Sequence, residues 1–328
     1  MSGQRVDRRR FLRSATVGAT VVSVASAGAY AASATDEKRA AVTGATGTSA
    51  AATFRWFGTA GWRIDIGSRT LLVDPYLSRY ETGMFTGSFD PATRLTVATG
   101  TVDQHIGKPE TVLVTHSHWD HFNDVPYIAQ QTGARVIGTM TTYNLALASD
   151  VPSGQVGLVK GGEVLDFGSY TVEVIASLHS RNSAYSVALP GVRLARPEKP
   201  RTVADLPEGD TLAYQVRVKN GPSVFFMGGS DFVERNVTGL SPDVAMIAMQ
   251  ASDATHAYAE RIITALGRPS VVVPVHWDDF ETELTNPPKP DPTVKPHLDA
   301  FVATVRKVSP RTKVVLPRYL TPYRFQAG

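Results

Sequence analysis

From Phe54 onward, apolar and polar positions alternate over short runs. FRWFG (54–58), WRIDI (62–66) and RTLLV (69–73) predict three short strands, with glycine turns at Gly61 and Gly67. Thr111–Thr115 reads TVLVT, a continuous β-branched run that marks a buried strand. The pattern then becomes helical from about Asp124 to Gln131, with Asn123 or Asp124 as cap and Pro126 in the first turn. Further strands are expected at Ala134–Gly138, Val156–Lys160, Tyr170–Ala176, Thr211–Val218, Ser223–Met227, Ala245–Met249, Ser270–Val275 and Lys313–Leu316. Helices are expected at Thr141–Ser149, Thr255–Leu266 and 297–307. Strands with interspersed helices, in two successive batches, predict an α/β protein whose helices cover a sheet sandwich. Leu77–Thr99, Val187–Gly209 and Asp279–Lys295 fit no element. Loops of that length commonly serve as lids or are disordered.

The front of the chain breaks this pattern. DRRRFLRSATVGATVVSVASAGAYAASA has an arginine-rich start, an apolar run from about Ala15 to Ala29, and two A-x-A sites ending at Ala31 and Ala34. Arg8-Arg9-Arg10-Phe11-Leu12-Arg13 resembles the twin-arginine export motif of bacteria. The resemblance implies a signal peptide over 1–34, use of the twin-arginine export machinery, and a final location outside the cell or in its envelope. That route is known for carrying folded proteins, which suits a metalloprotein. The run is rich in Gly, Ala and Ser, so no stable membrane span is expected in the mature form. Residues 35–53 read as a flexible linker and 54–328 as one domain.

Charge narrows the function. The whole chain carries net +3, but residues 1–34 hold five arginines against one aspartate; the remaining 28 basic and 29 acidic residues leave −1. No bulk charge therefore favours a nucleic-acid partner. The chain has no cysteine, which removes disulfides, thiolate ligands and a cysteine nucleophile. A metal site must then use nitrogen and oxygen.

Three of the eight histidines fall in THSHWDHFND, Thr115–Asp124. The stretch begins where an apolar strand ends. In an extended segment His116, His118 and Asp120 line one side, and His121 breaks that parity, so the chain must turn there. Imidazole nitrogen and carboxylate oxygen are good ligands for zinc and similar divalent ions. His116-x-His118-x-Asp120-His121 resembles the signature loop of the metallo-β-lactamase superfamily. FRWFGTAGWRIDIGSRTLLVDPYLSR and VVVPVHWDDF resemble the opening strands and closing motif of its lactonase-like branch of metal-dependent hydrolases.

The resemblance implies an α/β fold, the metallo-β-lactamase-like αββα sandwich. It implies two divalent ions, zinc first, with manganese or iron as alternatives. His116, His118 and His179 would hold one ion, and Asp120, His121 and His276 the other, with Asp231 between them. It implies a secreted hydrolase that uses a metal-bridged hydroxide on an ester, lactone or phosphodiester of a small molecule, Asp120 orienting the water. Trp119, Arg181, Asn182 and Trp277 flank these ligands and are candidate substrate contacts. Asp74, in VDPY, is expected to act behind the ligands or in a turn. His105, His256 and His297 are expected to lie outside the site. Two other readings stand beside this one: an iron-dependent oxidoreductase on the same fold, and a non-catalytic exported binding protein.

Overall fold

The computed structural model describes residues 52–182 and 184–328. The expected signal peptide lies outside them, as does most of the expected linker. Ala52 and Thr53, assigned to that linker from sequence, instead belong to the first strand.

Strands β1 (Ala52–Gly58), β2 (Gly61–Ile66) and β3 (Arg69–Val73) form an antiparallel meander, with Trp56 opposite Trp62 and Trp62 opposite Val73. Helix α1 (Thr99–Ile106) then leads to β4 (Pro109–Leu113). Helices α2 (Trp119–Phe122) and α3 (Val125–Thr132) lead to β5 (Arg135–Gly138), and α4 (Met140–Ala148) to β6 (Val156–Leu158). Strands β4, β5 and β6 join in parallel, so the sheet has six strands in chain order. Parallel neighbours need a long crossover, and the helices supply it.

The second sheet starts with β7 (Val164–Asp166), β8 (Tyr170–Ala176), β9 (Leu212–Val218) and β10 (Ser223–Met227), all antiparallel. After α5 (Glu234–Val237), strand β11 (Val244–Ala248), helix α6 (Tyr258–Ala265), β12 (Val271–Val275), α7 (Lys295–Val308) and β13 (Lys313–Val314) extend it in parallel. Its order is β13-β12-β11-β10-β9-β8-β7.

Strand alternation sorts the side chains of the first sheet into two cores. Leu71, Val73, Leu113 and Ile137 join a core with Tyr214, Val216 and Phe225 of the second sheet. Leu72, Val112 and Val136 point the other way, onto Ile128 of α3 and Leu145 of α4. Ile262 of α6 and Phe301 and Val305 of α7 pack into the first of these cores. The architecture is the expected αββα sandwich of the metallo-β-lactamase type.

Three differences from the sequence reading have physical causes. Helix α1 was not predicted because its cap is Ala98, with no side-chain hydrogen bond, and Gly100 lies inside it. Strand β4 stops at Leu113, short of Thr115, because the Thr115 N–H donates to Asp74 Oδ1 (2.7 Å) and not to a neighbouring strand. Asp124 caps α3 by position, yet its carboxylate accepts the Leu77 and Ser78 N–H groups (2.7 and 3.0 Å) and so ties down the irregular segment after β3.

Candidate metal centre

The candidate ligands all follow the carboxyl ends of strands. The HSHWDH stretch follows β4, His179 follows β8 and His276 follows β12. Extended backbone persists through His118 (φ −61°, ψ 157°), after which Trp119–Phe122 close one turn of helix. Asp120 therefore does not share a side with His116 and His118, as alternation had suggested. The helical turn swings it with His121 toward His276. The result is two groups of converging ligand atoms, His116/His118/His179 and Asp120/His121/His276. The first two rings sit 4.8 Å apart, and each lies 4.7 Å from the His179 ring. In the second group Asp120 Oδ2 lies 3.3 Å from His121 Nε2 and 3.1 Å from His276 Nε2.

Four of the five histidines have one ring nitrogen already engaged. His118 Nε2–H donates to the Ala188 carbonyl (2.9 Å), His179 Nδ1–H to the Ser180 carbonyl (2.7 Å) and His121 Nδ1–H to Asp74 Oδ2 (2.9 Å). The Thr115 hydroxyl donates to Asp74 Oδ2 (2.6 Å), so its oxygen is left to accept His116 Nδ1–H (3.1 Å). Each bond engages one ring nitrogen and leaves the other for the ligand group, as metal-ligating histidines require; on His121 a metal would have to displace a proton from it. His121 Nε2, deep inside, makes no well-formed hydrogen bond and has only Asp120 Oδ2 beside it, at 3.3 Å. This donor set fits divalent metal ions.

The electrostatics agree. Burial, reinforced by the neighbouring imidazoles, holds His116 well below its ordinary pKa. Burial takes His118 down to about 4 and His179 to about 3. All three are neutral at pH 7. Burial also disfavours charge on His121, but Asp120 and Asp74 outweigh it and raise that ring to about 10. Burial likewise opposes charge on Asp120, and His121 and His276 overcome it, so the carboxyl stays ionised. Without an ion, Asp120 and His121 form a pair whose proton a metal would replace.

Asp231, expected between the two groups, lies outside both sets of converging ligand atoms. Its carboxylate accepts its neighbour Phe232 N–H (2.8 Å), its backbone pairs with Leu178, and its charge is felt by Tyr258 of α6. The glycines before it pass the site instead. A Cβ at Gly228 would overlap Thr115 Oγ1, and one at Gly229 would sit 3.0 Å from His179 Cα. The turn thus passes Thr115 and His179 on bare backbone.

The four flanking residues divide. Arg181 lines a cavity beside His179, although its guanidinium donates to the Tyr185 carbonyl (2.9 Å). Trp119 is buried, stacked on Phe89 at 5.6 Å and 6.2 Å from the His118 ring. Asn182 is a turn residue: its Oδ1 accepts the N–H groups of Ala184 and Ser186 (2.9 and 3.1 Å). Trp277 is turned into the core, stacked on Trp56 at 5.5 Å, with its indole N–H on the Pro274 carbonyl (2.9 Å). Neither His105, His256 nor His297 joins a ligand group.

Arg79 and Asp278 had no signal in the sequence. They form a buried ion pair at 2.8 Å. Asp278 Oδ1 also accepts Thr59 N–H (2.9 Å), and the Thr59 carbonyl accepts His276 N–H (2.8 Å). His276 has φ +57°, a conformation costly for a non-glycine residue, and this chain of bonds holds it there. Gly58 makes room for it, since a Cβ there would overlap the Arg79 guanidinium.

The chain is similar to known proteins. Residues 53–276 match the Beta-lactamase superfamily domain. A "UPF0173 metal-dependent hydrolase" of Methylobacterium nodulans is 28% identical over 259 residues, covering 76% of this chain and 90% of that one. Another of that description, from Anaeromyxobacter sp. (strain K), is 24% identical over 234 residues, covering 69% and 74%. Among solved structures, Igni18, described as a novel metallo hydrolase from Ignicoccus hospitalis, aligns with TM-score 0.53 at 19% identity, covering 84% of this chain and 99% of that one. The isothiocyanate hydrolase from Delia radicum gut bacteria aligns with TM-score 0.53 at 16% identity, covering 84% and 99%. At these identities the solved structures speak for the fold alone.

Proposed function

The chain belongs to the β-lactamase superfamily, and from that premise we propose that it is an exported, metal-dependent hydrolase that cleaves an ester, lactone or phosphodiester bond in a small molecule. The observation that carries this reading is the pair of ligand groups, with four of five histidines engaged at one ring nitrogen by an oxygen behind the ring. Two divalent ions, zinc first, suit this donor set; ions held there supply an acidified water and a Lewis-acid contact for the oxygen that gains charge.

The chain's own residues do the rest. Asp120, ionised and 3.1 Å from His276 Nε2, can orient a water and take its proton. The Ala188 carbonyl roofs His118, so the Val187–Gly209 segment helps to exclude bulk water from the first group. His179 alone among the ligands is only half-buried, which puts substrate entry on its side. Export by the twin-arginine machinery and a place outside the cell or in its envelope rest on the arginine-rich front of the chain.

The test is turnover. Metal-replete protein is offered a panel of esters, lactones and phosphodiesters, with a chelated control. Chelator-sensitive cleavage of one class supports the reading, and silence across the whole panel overturns it.

A further inference from the structure

Beside the buried ligands lies a cavity of ≈ 590 Å³. His179, a member of the first ligand group, is part of its lining. Its volume is in the range that encloses a small organic molecule. Met140, the first residue of α4, Leu158, the last of β6, and Leu178, Val187 and Leu212 supply apolar wall. Met140 and Leu158 are 37% and 46% exposed, so their carbon meets water where a ligand would cover it. The charges at the cavity are balanced, with Lys160 and Arg181 against Glu208 and Asp210. Glu208 is moreover occupied by the Thr211 hydroxyl at 2.6 Å. Balanced charge gives no net attraction for an ion, which leaves apolar contact and shape to select the occupant.

We propose that this cavity receives the uncharged, apolar arm of the substrate, an alkyl or acyl chain whose scissile bond lies beside His179. The proposal rests on the hydrolase reading and names the substrate class that the reading leaves open: an ester or lactone with an aliphatic chain. Each methylene buried in such a cavity strengthens binding about fourfold until the space is filled. Met140 and Leu158 are then specificity-determining residues.

The test needs no turnover. Binding of straight-chain alcohols from butanol to decanol to the metal-loaded protein is measured by calorimetry, for wild type, Leu158→Glu and Met140→Trp. Metal content per chain equal to that of the wild type shows that the variants are folded. The expected result is an affinity that climbs about fourfold per methylene and then levels off, with octanol at least tenfold weaker in both variants. Affinity independent of length, or variants that bind octanol as the wild type does, overturns the proposal. Should the hydrolase reading fail, the alcohols bind with this length dependence and no ester is cleaved, which still supports the apolar cavity.

Discussion

Asp74 Oδ2 accepts a hydrogen bond from His121 Nδ1 at 2.9 Å, and the same oxygen takes the Thr115 hydroxyl that stands behind His116. One buried carboxylate thus orients a histidine in each ligand group. Removing it should be felt in both. Asp74→Ala is expected to weaken metal binding by roughly 10–100-fold at each position, the usual cost of losing a partner behind a ligand. Thr115→Val should weaken only the His116/His118/His179 position. Competition with a chromophoric chelator measures both, and an unchanged affinity in Asp74→Ala would refute the shared role.

The Arg79–Asp278 pair should matter to His276 beyond its share of stability. Breaking a buried pair by removing one partner costs about 3–5 kcal/mol, because the other charge is left alone. Arg79→Met is expected to lower stability by that order and to release His276 from its left-handed backbone. Urea unfolding reads the first effect. Selective loss of metal from the Asp120/His121/His276 group reads the second, and equal loss from both groups would count against it.

The metal-free protein should be sensitive to acid below neutrality. His118 and His179 titrate at about 4 and about 3 in the folded chain, against about 6.5 when unfolded. As pH falls below 6.5 the unfolded state binds protons that the folded state refuses, so stability drops until pH reaches the folded values. For His118 alone the loss is on the order of 3 kcal/mol. His121 has the opposite sign. Raised to about 10, it contributes stability that is fully present below pH 6.5 and lost as pH climbs through 10. Denaturant melts of chelated protein across pH 4–10 should therefore give a maximum near neutrality, and a monotonic rise toward acid would contradict the assignment.

Asp231→Ala is expected to keep its full complement of metal, since Asp231 is in neither ligand group and its carboxylate accepts Phe232 N–H. Elemental analysis of the variant decides this directly. Loss of an ion would restore Asp231 to the site.

Much of the fold was legible because burial imposes period. The meander of β1 to β3, the β-branched run of β4 and the two helices α6 and α7 stand close to where alternation and capping put them. The ligand groups were legible through the motif, since His116, His118, Asp120 and His121 are close in sequence and must also be close in space. Asp231 was less legible, because an acid after a strand looks the same in sequence whether or not its carboxylate converges with the histidines, and here it is in neither ligand group. The place of Trp277 in the core was not legible, because adjacency to His276 says nothing about which side of the strand end a ring takes. Arg79, Asp278 and the Ala188 carbonyl were invisible, because each acts across long sequence separations or through backbone that any residue supplies.

The measurement that bears most directly on the central claim is metal content per chain, by elemental analysis, for wild type, His179→Ala and His276→Ala. Two divalent ions in the wild type, with one lost in each variant, is the predicted result. A metal-free wild type, or variants that hold as much metal as the wild type, would contradict the account.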